Sequence, residues 1–509
     1  MNNFANAMKQ TLNNSTQFNS AYTENGAKVF RTTGSTLLDL NFKVTQFRSA
    51  SENEIIDGFM KAFYEDKNLA LKWIFYVSDI REGLGERRLF RVISKHLVKN
   101  NPEVITHLIK YIPEYSRWDN MWEFLGINED IDSLINTIVS KQLNEDLVNY
   151  KSNDPISLLA KWLPSINTSS TDTKAKGNKI RSLLGVSSKQ YRKTLSMLRK
   201  YLKIVEVSMS AKEWSEINYS AIPSRANLIY NDAFLKNDED RRRNFLASLE
   251  KGETKINSSV LFPHDIVHKY MSVGYSFNSK VKAKDIALEE MWKALPNTVQ
   301  DNGNTIVVAD GSGSMTSTIA NTNISALSVA NAFAIYFAER SFGQFKDKYI
   351  TFSTRPQLVD FSKCNSLKEK IELACRYNEV ADTNIEAVFD LILKTAISQN
   401  MQQNEIPSNI LIISDMQFNQ ATGYKTDDRL FTTIAKKYEQ AGYKLPKLIF
   451  LNVCDRGKDT IPVKENENGV VLCSGYSVNL IKMIMSQKLD PYEVLVETLL
   501  SERYKQITI

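Results

Sequence analysis

Three oxygen-bearing side chains stand at alternate positions after an apolar run near the middle of this 509-residue chain. The run Thr305–Ala309 is typical of a buried strand, and Asp310, Ser312 and Ser314 follow it. A carboxylate and two hydroxyls are hard oxygen ligands, which suit Mg²⁺ or Mn²⁺. Because ligands bind at the carboxyl ends of strands in parallel α/β sheets, the position of these residues predicts a divalent-metal site.

Two further segments carry oxygen ligands in comparable positions. The segment 382–386 opens a predicted helix, so Thr383 can present its hydroxyl from the preceding loop. The apolar run Ile410–Ser414 is of strand type and is followed by Asp415. Because three segments of one parallel sheet can converge on a single ion, the predicted metal ligands are Asp310, Ser312, Ser314, Thr383 and Asp415.

Each segment also fits a simpler structural role when it is taken alone. The turn Asp310–Ser314 could cap a helix, Thr383 with Glu386 fits a capping box, and Asp415 could be an ordinary loop acid. A catalytic metal at this place would need a base or a nucleophile, and the sequence offers no phosphate-binding Gly-x-x-x-x-Gly-Lys loop and no nucleophile elbow. We therefore predict that the protein is not an enzyme and has no catalytic residues, with a metal-dependent hydrolase or nuclease as the least favoured alternative.

The elements that position these residues change character near residue 297. Between Ser51 and Trp292 the apolar spacing is helical, and Ser51 with Glu54 predicts a capping box at the first helix. Further helices are predicted over residues 86–99, 103–111, 116–125, 131–146, 154–163, 187–206, 224–235 and 239–250. Many helices of modest length with short connections predict an all-α, helical-repeat module of HEAT-like type.

Strands alternate with helices in the second part of the chain. Strands are predicted at Thr305–Ala309, Tyr349–Ser353, Ile410–Ser414, Leu448–Val453 and Val470–Cys473. Helices are predicted over residues 319–342, 366–376, 384–399, 427–441 and 477–487. This alternation predicts a doubly wound parallel sheet of Rossmann-like α/β type.

The predicted organisation has four parts. A polar N-terminal arm over residues 1–50 precedes the helical module over 51–296, and the sheet domain over 297–488 precedes a C-terminal helix over 489–509. One hypothesis packs that last helix against the helical module. No apolar run reaches the length of a membrane span, and the four cysteines form no zinc-binding spacing. A cytoplasmic, reduced setting fits this cysteine usage.

Positive charge is concentrated in the helical part. Residues 301–509 hold 22 Lys and Arg against 24 Asp and Glu, so the surplus behind the net charge of +6 lies in residues 1–300. The stretch 174–203 contains ten Lys or Arg and no acid, beside an apolar stripe that includes Tyr191, Leu195 and Leu198. Such a stripe of fixed positive charge is the footprint of phosphate binding, although a solvated helix face or an acidic protein or membrane surface would also fit. The predicted RNA-binding residues are Lys189, Arg192, Lys193, Arg199, Lys200, Lys203, Arg241, Arg242 and Arg243.

The three metal segments resemble, in order and spacing, the loops of the metal-ion-dependent adhesion site in von Willebrand factor A domains, over roughly residues 303–480. The resemblance implies that Ser312, Ser314 and Thr383 are direct or near-direct ligands, and that the two aspartates bind partly through water. It also implies an open coordination position that takes a carboxylate from a partner. Met416 departs from the pattern, because many such domains have glycine there.

The helical part resembles the TROVE-module proteins of the Ro autoantigen family. The segments 81–88 (REGLGERR) and 115–122 (YSRWDNMW) carry this resemblance, together with the order of the two parts. The segments 160–164, 191–193 and 222–224 are closer still to a TROVE-like family known from phage and plant sequences. The resemblance implies a ring of helical repeats closed by the metal-binding domain, with small noncoding RNAs on a basic outer surface and RNA ends in the cavity.

The leading hypothesis is a monomeric, non-enzymatic RNA-binding scaffold that holds small structured or single-stranded RNA. Its metal site, with Mg²⁺ or Mn²⁺, would dock an acidic protein partner, and no membrane is involved. The alternative is a metal-dependent protein-interaction adaptor without a nucleic-acid role.

Overall fold

The computed structural model describes most of the chain and divides it into two compact units. The sheet unit comprises the described residues of Met1–Ala70 and Leu261–Arg503, and the helical unit comprises those of Leu71–Val260 and Tyr504–Ile509. The described residues are 19–509 without 259, 272–280, 298, 300–303, 321, 353–354, 379–383, 419–429, 455–460, 463–468 and 481–489. The described helices include none that is long and apolar enough to cross a bilayer.

The helical unit consists of paired helices of modest length, as its apolar spacing predicts. Its α-helices after the boundary helix Lys67–Ser78 are Arg87–Asn100, Pro102–Ile105, Ile112–Tyr115, Glu129–Ser152, Leu159–Trp162, Thr171–Leu183, Ser188–Tyr201, Val205–Ala211, Ser224–Asn237 and Glu239–Glu250. Short 3₁₀ helices lie at Thr106–Tyr111, Trp118–Phe124, Trp214–Glu216 and Tyr219–Ala221. The all-α character of this part is therefore confirmed.

Thr171–Leu183 is a helix that the apolar pattern missed. Only Gly177 and Ile180 of this polar helix are buried, so it has almost no apolar stripe to reveal it. A β-carbon at Gly177 would lie 2.9 Å from the Pro164 carbonyl oxygen. Gly177 therefore lets this helix approach the backbone of the preceding segment. This close packing explains why a residue of low helix propensity stands inside the helix.

The sheet unit contains a two-stranded hairpin and a six-stranded sheet. The hairpin strands are β1 (Ala21–Tyr22) and β2 (Lys28–Val29). The sheet strands are β3 (Thr305–Asp310), β4 (Lys348–Phe352), β5 (Gln357–Asp360), β6 (Asn409–Ser414), β7 (Lys447–Asn452) and β8 (Val470–Ser474). Their order is β5-β4-β3-β6-β7-β8, and all pairs are parallel except β4 with β5. The predicted doubly wound parallel sheet is confirmed, with the antiparallel edge strand β5 as an addition.

Helices cover both faces of this sheet. They are Thr36–Phe42, Glu52–Glu65, Pro263–Met271, Ile286–Lys293, Ala326–Arg340, Leu367–Arg376, Glu386–Ser398, Leu430–Gln440 and Pro491–Leu499, with 3₁₀ turns at Gln46–Arg48, Gly313–Thr316, Gly343–Phe345, Val478–Leu480 and Glu502–Tyr504. The helix Ala326–Arg340 is buried without interruption from Ala326 to Ala338. It packs against β3, β4 and β6 on one side and against other helices on the other, which explains its apolar surface all round. The predicted helix 477–487 lies largely outside the described residues.

The compact units do not coincide with the predicted domain boundaries. The described part of the region predicted as a polar arm, residues 19–50, belongs to the sheet unit, where Phe30 and Ile461 exchange backbone hydrogen bonds of 2.8 and 2.9 Å. The helix Ile286–Lys293, predicted as part of the helical module, is also in the sheet unit. There the Glu289 carboxylate accepts a hydrogen bond of 2.8 Å from the Leu367 amide. Helical periodicity alone could not reveal these long-range contacts.

The end of the chain is divided between the two units. The helix Pro491–Leu499 belongs to the sheet unit and contacts β8, whereas Tyr504–Ile509 belong to the helical unit. The packing of this helix on the helical module stays a hypothesis, and the residues from Tyr504 onward belong to the helical unit. The Tyr504 carbonyl accepts a hydrogen bond of 2.5 Å from Lys72 Nζ, and the Tyr504 ring lies 5.7 Å from that of Tyr115.

Replacing Tyr504 with alanine is expected to destabilise the helical unit by about 3–5 kcal/mol, because it removes a buried aromatic ring. Urea unfolding of the full chain, followed by tryptophan fluorescence, would measure the change. The matched control is Ile509→Ala in the same tail, since the Ile509 side chain is 60% exposed. An equal, small effect of both substitutions would show that the tail does not support the unit.

Candidate metal centre and basic surface

Asp310 and Ser414 meet at the carboxyl ends of the central strands β3 and β6. The register pairs Ala309 with Ile413, so the residues that follow lie side by side. The Ser414 hydroxyl donates a hydrogen bond of 2.6 Å to Asp310 Oδ2, and both residues are buried. Asp415 follows directly and is also buried. The sheet therefore brings together the two predicted carboxylates, as the strand pattern indicates.

Ser312 and Ser314 complete the described part of the centre. The turn is closed by the Ser312 amide, which donates to Asp310 Oδ1 at 2.9 Å. The two serine hydroxyl oxygens lie 3.0 Å apart. Adjacent ligands of an octahedral Mg²⁺ with bonds of about 2.1 Å are separated by about 3.0 Å, so this pair matches the spacing that such an ion requires.

The electrostatics of the centre also favour a cation. Burial and the nearby charge of Asp415 together raise the pKa of Asp310 to about 7, against the hydrogen bonds from Ser414 and Ser312. Two buried carboxylates repel each other, and a bound divalent ion would offset this repulsion. Among the described residues there is no group of three or more His, Cys, Asp or Glu that could hold a metal. Any ion here would rest on two carboxylates and hydroxyls, a donor set that suits Mg²⁺ or Mn²⁺.

The third loop has a strained turn at Met416. Its φ is 63°, in the left-handed region where glycine is favoured, and its side chain is buried. Met416 therefore adopts the backbone conformation that glycine favours and adds an apolar side chain to the core. The backbone amide of Gln417 donates a hydrogen bond of 3.2 Å to Asp415 Oδ1, which fixes the carboxylate. The fifth predicted ligand, Thr383, lies outside the described residues.

Two residues at this centre were missed by reasoning from the sequence. Ser414 was included in a strand but not in the site, although its position one residue before Asp415 was a usable signal. Gln417 is buried and holds the N-terminal segment: its side-chain oxygen accepts from the Glu24 amide at 2.8 Å, and its carbonyl accepts from Asn25 Nδ2 at 2.6 Å. No sequence signal connects residues almost 400 positions apart.

The predicted RNA-binding residues separate into exposed side chains without an acidic partner and side chains that are bonded or packed within the protein. The first group lies on the helix Ser188–Tyr201 and two residues beyond its end, and we call it the basic face: Lys189, Arg192, Lys193, Lys200 and Lys203. Within the part of the chain that the structure describes, none of the five forms an ion pair with an acid. Their positive charge is therefore not neutralised by neighbouring carboxylates.

The other four predicted RNA-binding residues have internal contacts. Arg242 is fully buried and stacks near the rings of Tyr219, Phe234 and Phe245, so its inclusion in an RNA surface is wrong.

Arg199 donates to two carbonyl oxygens and a hydroxyl of the segment 160–165, Arg241 donates to two carbonyl oxygens and to Asp238, and Arg243 pairs with Glu239. The sequence showed the positive charge of these arginines, but not the bonds that they form within the protein.

Comparison with known proteins divides the chain near the start of β3. A family model described as a domain of unknown function, DUF2828, matches residues 23–116 and 168–305. A second, described as a domain of unknown function, DUF7788, matches residues 304–505. The crystal structure of Deinococcus radiodurans RO (RSR) protein is similar with a TM-score of 0.48 and 14% sequence identity, and the superposition covers 91% of this chain and 99% of that chain.

A viral relative covers nearly the whole chain. Uncharacterized protein L728 of Acanthamoeba polyphaga mimivirus is 30% identical over 518 residues. The alignment covers 94% of this chain and 87% of the mimivirus protein, so the similarity includes both the helical and the sheet parts. The chain therefore belongs to the family of this mimivirus protein, and within it the DUF2828 match precedes the DUF7788 match.

Proposed function

We propose that this protein is a non-enzymatic RNA-binding scaffold and that RNA contacts its basic face. The observation that carries the proposal is the exposure of five cationic side chains that have no acidic partner among the described residues. The resemblance of the helical part to TROVE-module proteins agrees with this function. A divalent-metal centre on the sheet unit would then serve for docking a protein.

The helix Ser188–Tyr201 presents its charges because its opposite side is anchored. Tyr191, Leu195 and Leu198 are buried, and the Tyr191 hydroxyl donates a hydrogen bond of 3.0 Å to the Pro164 carbonyl. Arg199 holds the same segment through bonds of 2.8 Å to Ala160 O and 2.6 Å to Leu163 O. A helix held in this way cannot rotate to pair its lysines elsewhere.

Three of the lysines line one flank of this helix. At about 100° per residue, Lys189, Lys193 and Lys200 project within about 40° of one another. Unpaired cations in a row attract a polyanion and release its bound counterions, so the strength of binding depends on salt. An extended phosphate backbone fits this row better than a single small anion does.

Changing Lys189, Lys193 and Lys200 to glutamine is expected to weaken binding of single-stranded RNA and to lower its salt dependence. Each lost phosphate contact lowers the slope of log K against log salt by about 0.7, so the triple variant should lose about 2. Fluorescence anisotropy of a labelled oligonucleotide at several salt concentrations measures both quantities.

The matched control replaces three exposed lysines elsewhere on the helical unit, Lys236, Lys251 and Lys255, with glutamine. This control tests whether the number of removed charges or their position matters. We expect its slope of log K against log salt to change by less than a third as much as that of the triple variant. RNA affinity that is equal in the triple variant and the wild type would contradict the proposal. It would favour the adaptor hypothesis, in which the metal centre binds a protein and neither unit binds nucleic acid.

The second candidate function is metal-dependent docking at the centre of Asp310, Ser312, Ser314 and Asp415. The supporting observation is the pair of buried carboxylates beside two hydroxyls at metal-ligand spacing. A bound Mg²⁺ or Mn²⁺ would supply a Lewis-acidic position for a carboxylate of an acidic partner. The residues of this chain would hold the ion and keep the loop rigid.

A further inference from the structure

An arginine cluster lies on the helical unit apart from the basic face. Arg91 and Arg117 both contact Asp119. Arg91 Nη2 lies 3.0 Å from Asp119 Oδ2, and Arg117 Nε lies 2.8 Å from Asp119 Oδ1. Arg91 Nε also donates to Asn120 Oδ1 at 2.6 Å. These bonds fix two guanidinium groups on one short helix, Trp118–Phe124, while both side chains remain about one-third exposed.

Arg87 adds an exposed charge to this cluster. It begins the helix Arg87–Asn100 and forms no ion pair with any residue that the structure describes. Arg87 lies one helical turn before Arg91, on the same side of this helix. Burial and the positive charge of Arg117 lower the pKa of Arg87. Among Arg87, Arg91, Arg117 and Asp119, positive charge therefore exceeds negative charge, which favours an anion at this place.

An aromatic ring lies beside the cluster. The guanidinium carbon of Arg117 is 3.9 Å from the centre of the Trp162 ring, and Trp162 is half-buried. The carbonyl of Trp162 accepts a hydrogen bond of 3.0 Å from Trp122 Nε1, which holds its backbone in place. Planar guanidinium groups with a neighbouring aromatic ring are the combination that proteins use to bind phosphates and bases of single-stranded nucleic acid.

We propose that Arg87, Arg91 and Arg117 form a phosphate-binding site for the RNA backbone, next to Trp162. This inference rests on the proposed RNA-binding function and adds a second contact region to it. Guanidinium groups bind phosphate oxygens in a bidentate manner, and Arg87 has its donors available for this. The other two arginines use part of their donors on Asp119, which positions them for the phosphate.

The connection to the basic face favours RNA over a phosphorylated protein as the occupant. Trp162 belongs to the segment 160–165 that Tyr191 and Arg199 of the basic helix hold by hydrogen bonds. The arginine cluster thus contacts this segment through Arg117 and Trp162, and the basic helix contacts it through Tyr191 and Arg199. A long polyanion can contact both regions, whereas a single phosphorylated side chain needs only one.

The test compares Arg87→Gln with Lys236→Gln in the full chain. Both variants remove one exposed positive charge from the helical unit, and Lys236 lies on the helix Ser224–Asn237, outside the basic face and the arginine cluster. The probe is a labelled single-stranded RNA of about 12 nucleotides, within the usual range of such sites. Arg87→Gln is expected to reduce affinity about 3- to 10-fold and to lower the salt slope by about 0.7, while Lys236→Gln changes each by less than a third as much.

The outcomes separate this inference from the proposed function. If RNA binds and the lysine variants of the basic face weaken it while Arg87→Gln does not, the arginine site is overturned and RNA binding stands. If the wild-type protein binds no RNA, pyrophosphate is the second probe. A rise in melting temperature with pyrophosphate that Arg87→Gln abolishes supports a phosphate site and overturns RNA as its occupant. The absence of both responses overturns the site.

Discussion

Replacing Gly83 with alanine is expected to lower the free energy of unfolding of the helical unit by about 3 kcal/mol or more. A β-carbon at this position would lie 1.9 Å from the Tyr76 carbonyl oxygen and 3.0 Å from that of Asp79. Neither oxygen is able to move away easily, because Tyr76 O accepts from the Leu84 amide at 3.1 Å and Asp79 O from the Gly83 amide at 3.0 Å. The clash would therefore break the turn that ends the helix Lys67–Ser78.

Gly185→Ala is a graded control for this prediction. Its φ is 66°, but a β-carbon there would have open space within 4 Å, so only backbone strain of about 1 kcal/mol is expected. Chemical denaturation followed by circular dichroism would compare the two variants with the wild type. Equal losses at both positions would contradict the claim that the close carbonyl makes Gly83 necessary.

The local part of the fold could be predicted from the sequence, because it depends on periodicity. Most helices of the first part, though not Thr171–Leu183, and the strands β3, β4, β6, β7 and β8 follow from apolar spacing. The capping box of Ser51 and Glu54 is present as predicted. The edge strand Gln357–Asp360 has only one fully buried side chain, Val359, and so gave no clear signal. The hairpin of β1 and β2 has two residues in each strand, which is too short for a pattern.

The sequence does not predict which segments form each of the two units, because this depends on contacts between distant residues. Thr45 donates through its amide to the Ser474 hydroxyl at 3.3 Å, across more than 400 positions of sequence. Such a bond depends on polar side chains that are common in loops. A single sequence therefore contains no pattern that pairs Thr45 with Ser474.

At the candidate sites, the order of residues was more informative than their charge. The strand-then-carboxylate pattern led to Asp310 and Asp415, since the ends of neighbouring parallel strands must meet. For the basic residues, the buried stripe of Tyr191 and its neighbours indicated which side of that helix faces outward. Arg242 lies four and seven residues before the buried Leu246 and Leu249, so apolar spacing could have placed it on the inner face of its helix. It is buried there among three aromatic rings.

Adding Mg²⁺ is expected to stabilise the wild-type protein and to leave Asp310→Asn unchanged. An ion present at about 100 times its dissociation constant stabilises the folded state by about 2.7 kcal/mol. Asparagine keeps the size of the side chain but removes the charge that offsets the ion, so binding should be lost. Differential scanning fluorimetry in EDTA and in rising Mg²⁺ or Mn²⁺ would measure the shift in melting temperature.

Two further variants distinguish a ligand from a neighbour at this centre. Ser314→Ala removes a predicted ligand and should weaken the ion's effect, whereas Asp390→Asn removes an acid of the same unit that pairs with Lys437 and should not. A partner captured in Mg²⁺ and released by EDTA, or by Asp310→Asn, would support docking at the open position. Equal stabilisation of wild type and Asp310→Asn would instead place the ion elsewhere on the protein. The buried pair of carboxylates would then be tolerated without a cation, with a proton on Asp310 relieving the repulsion that raises its pKa.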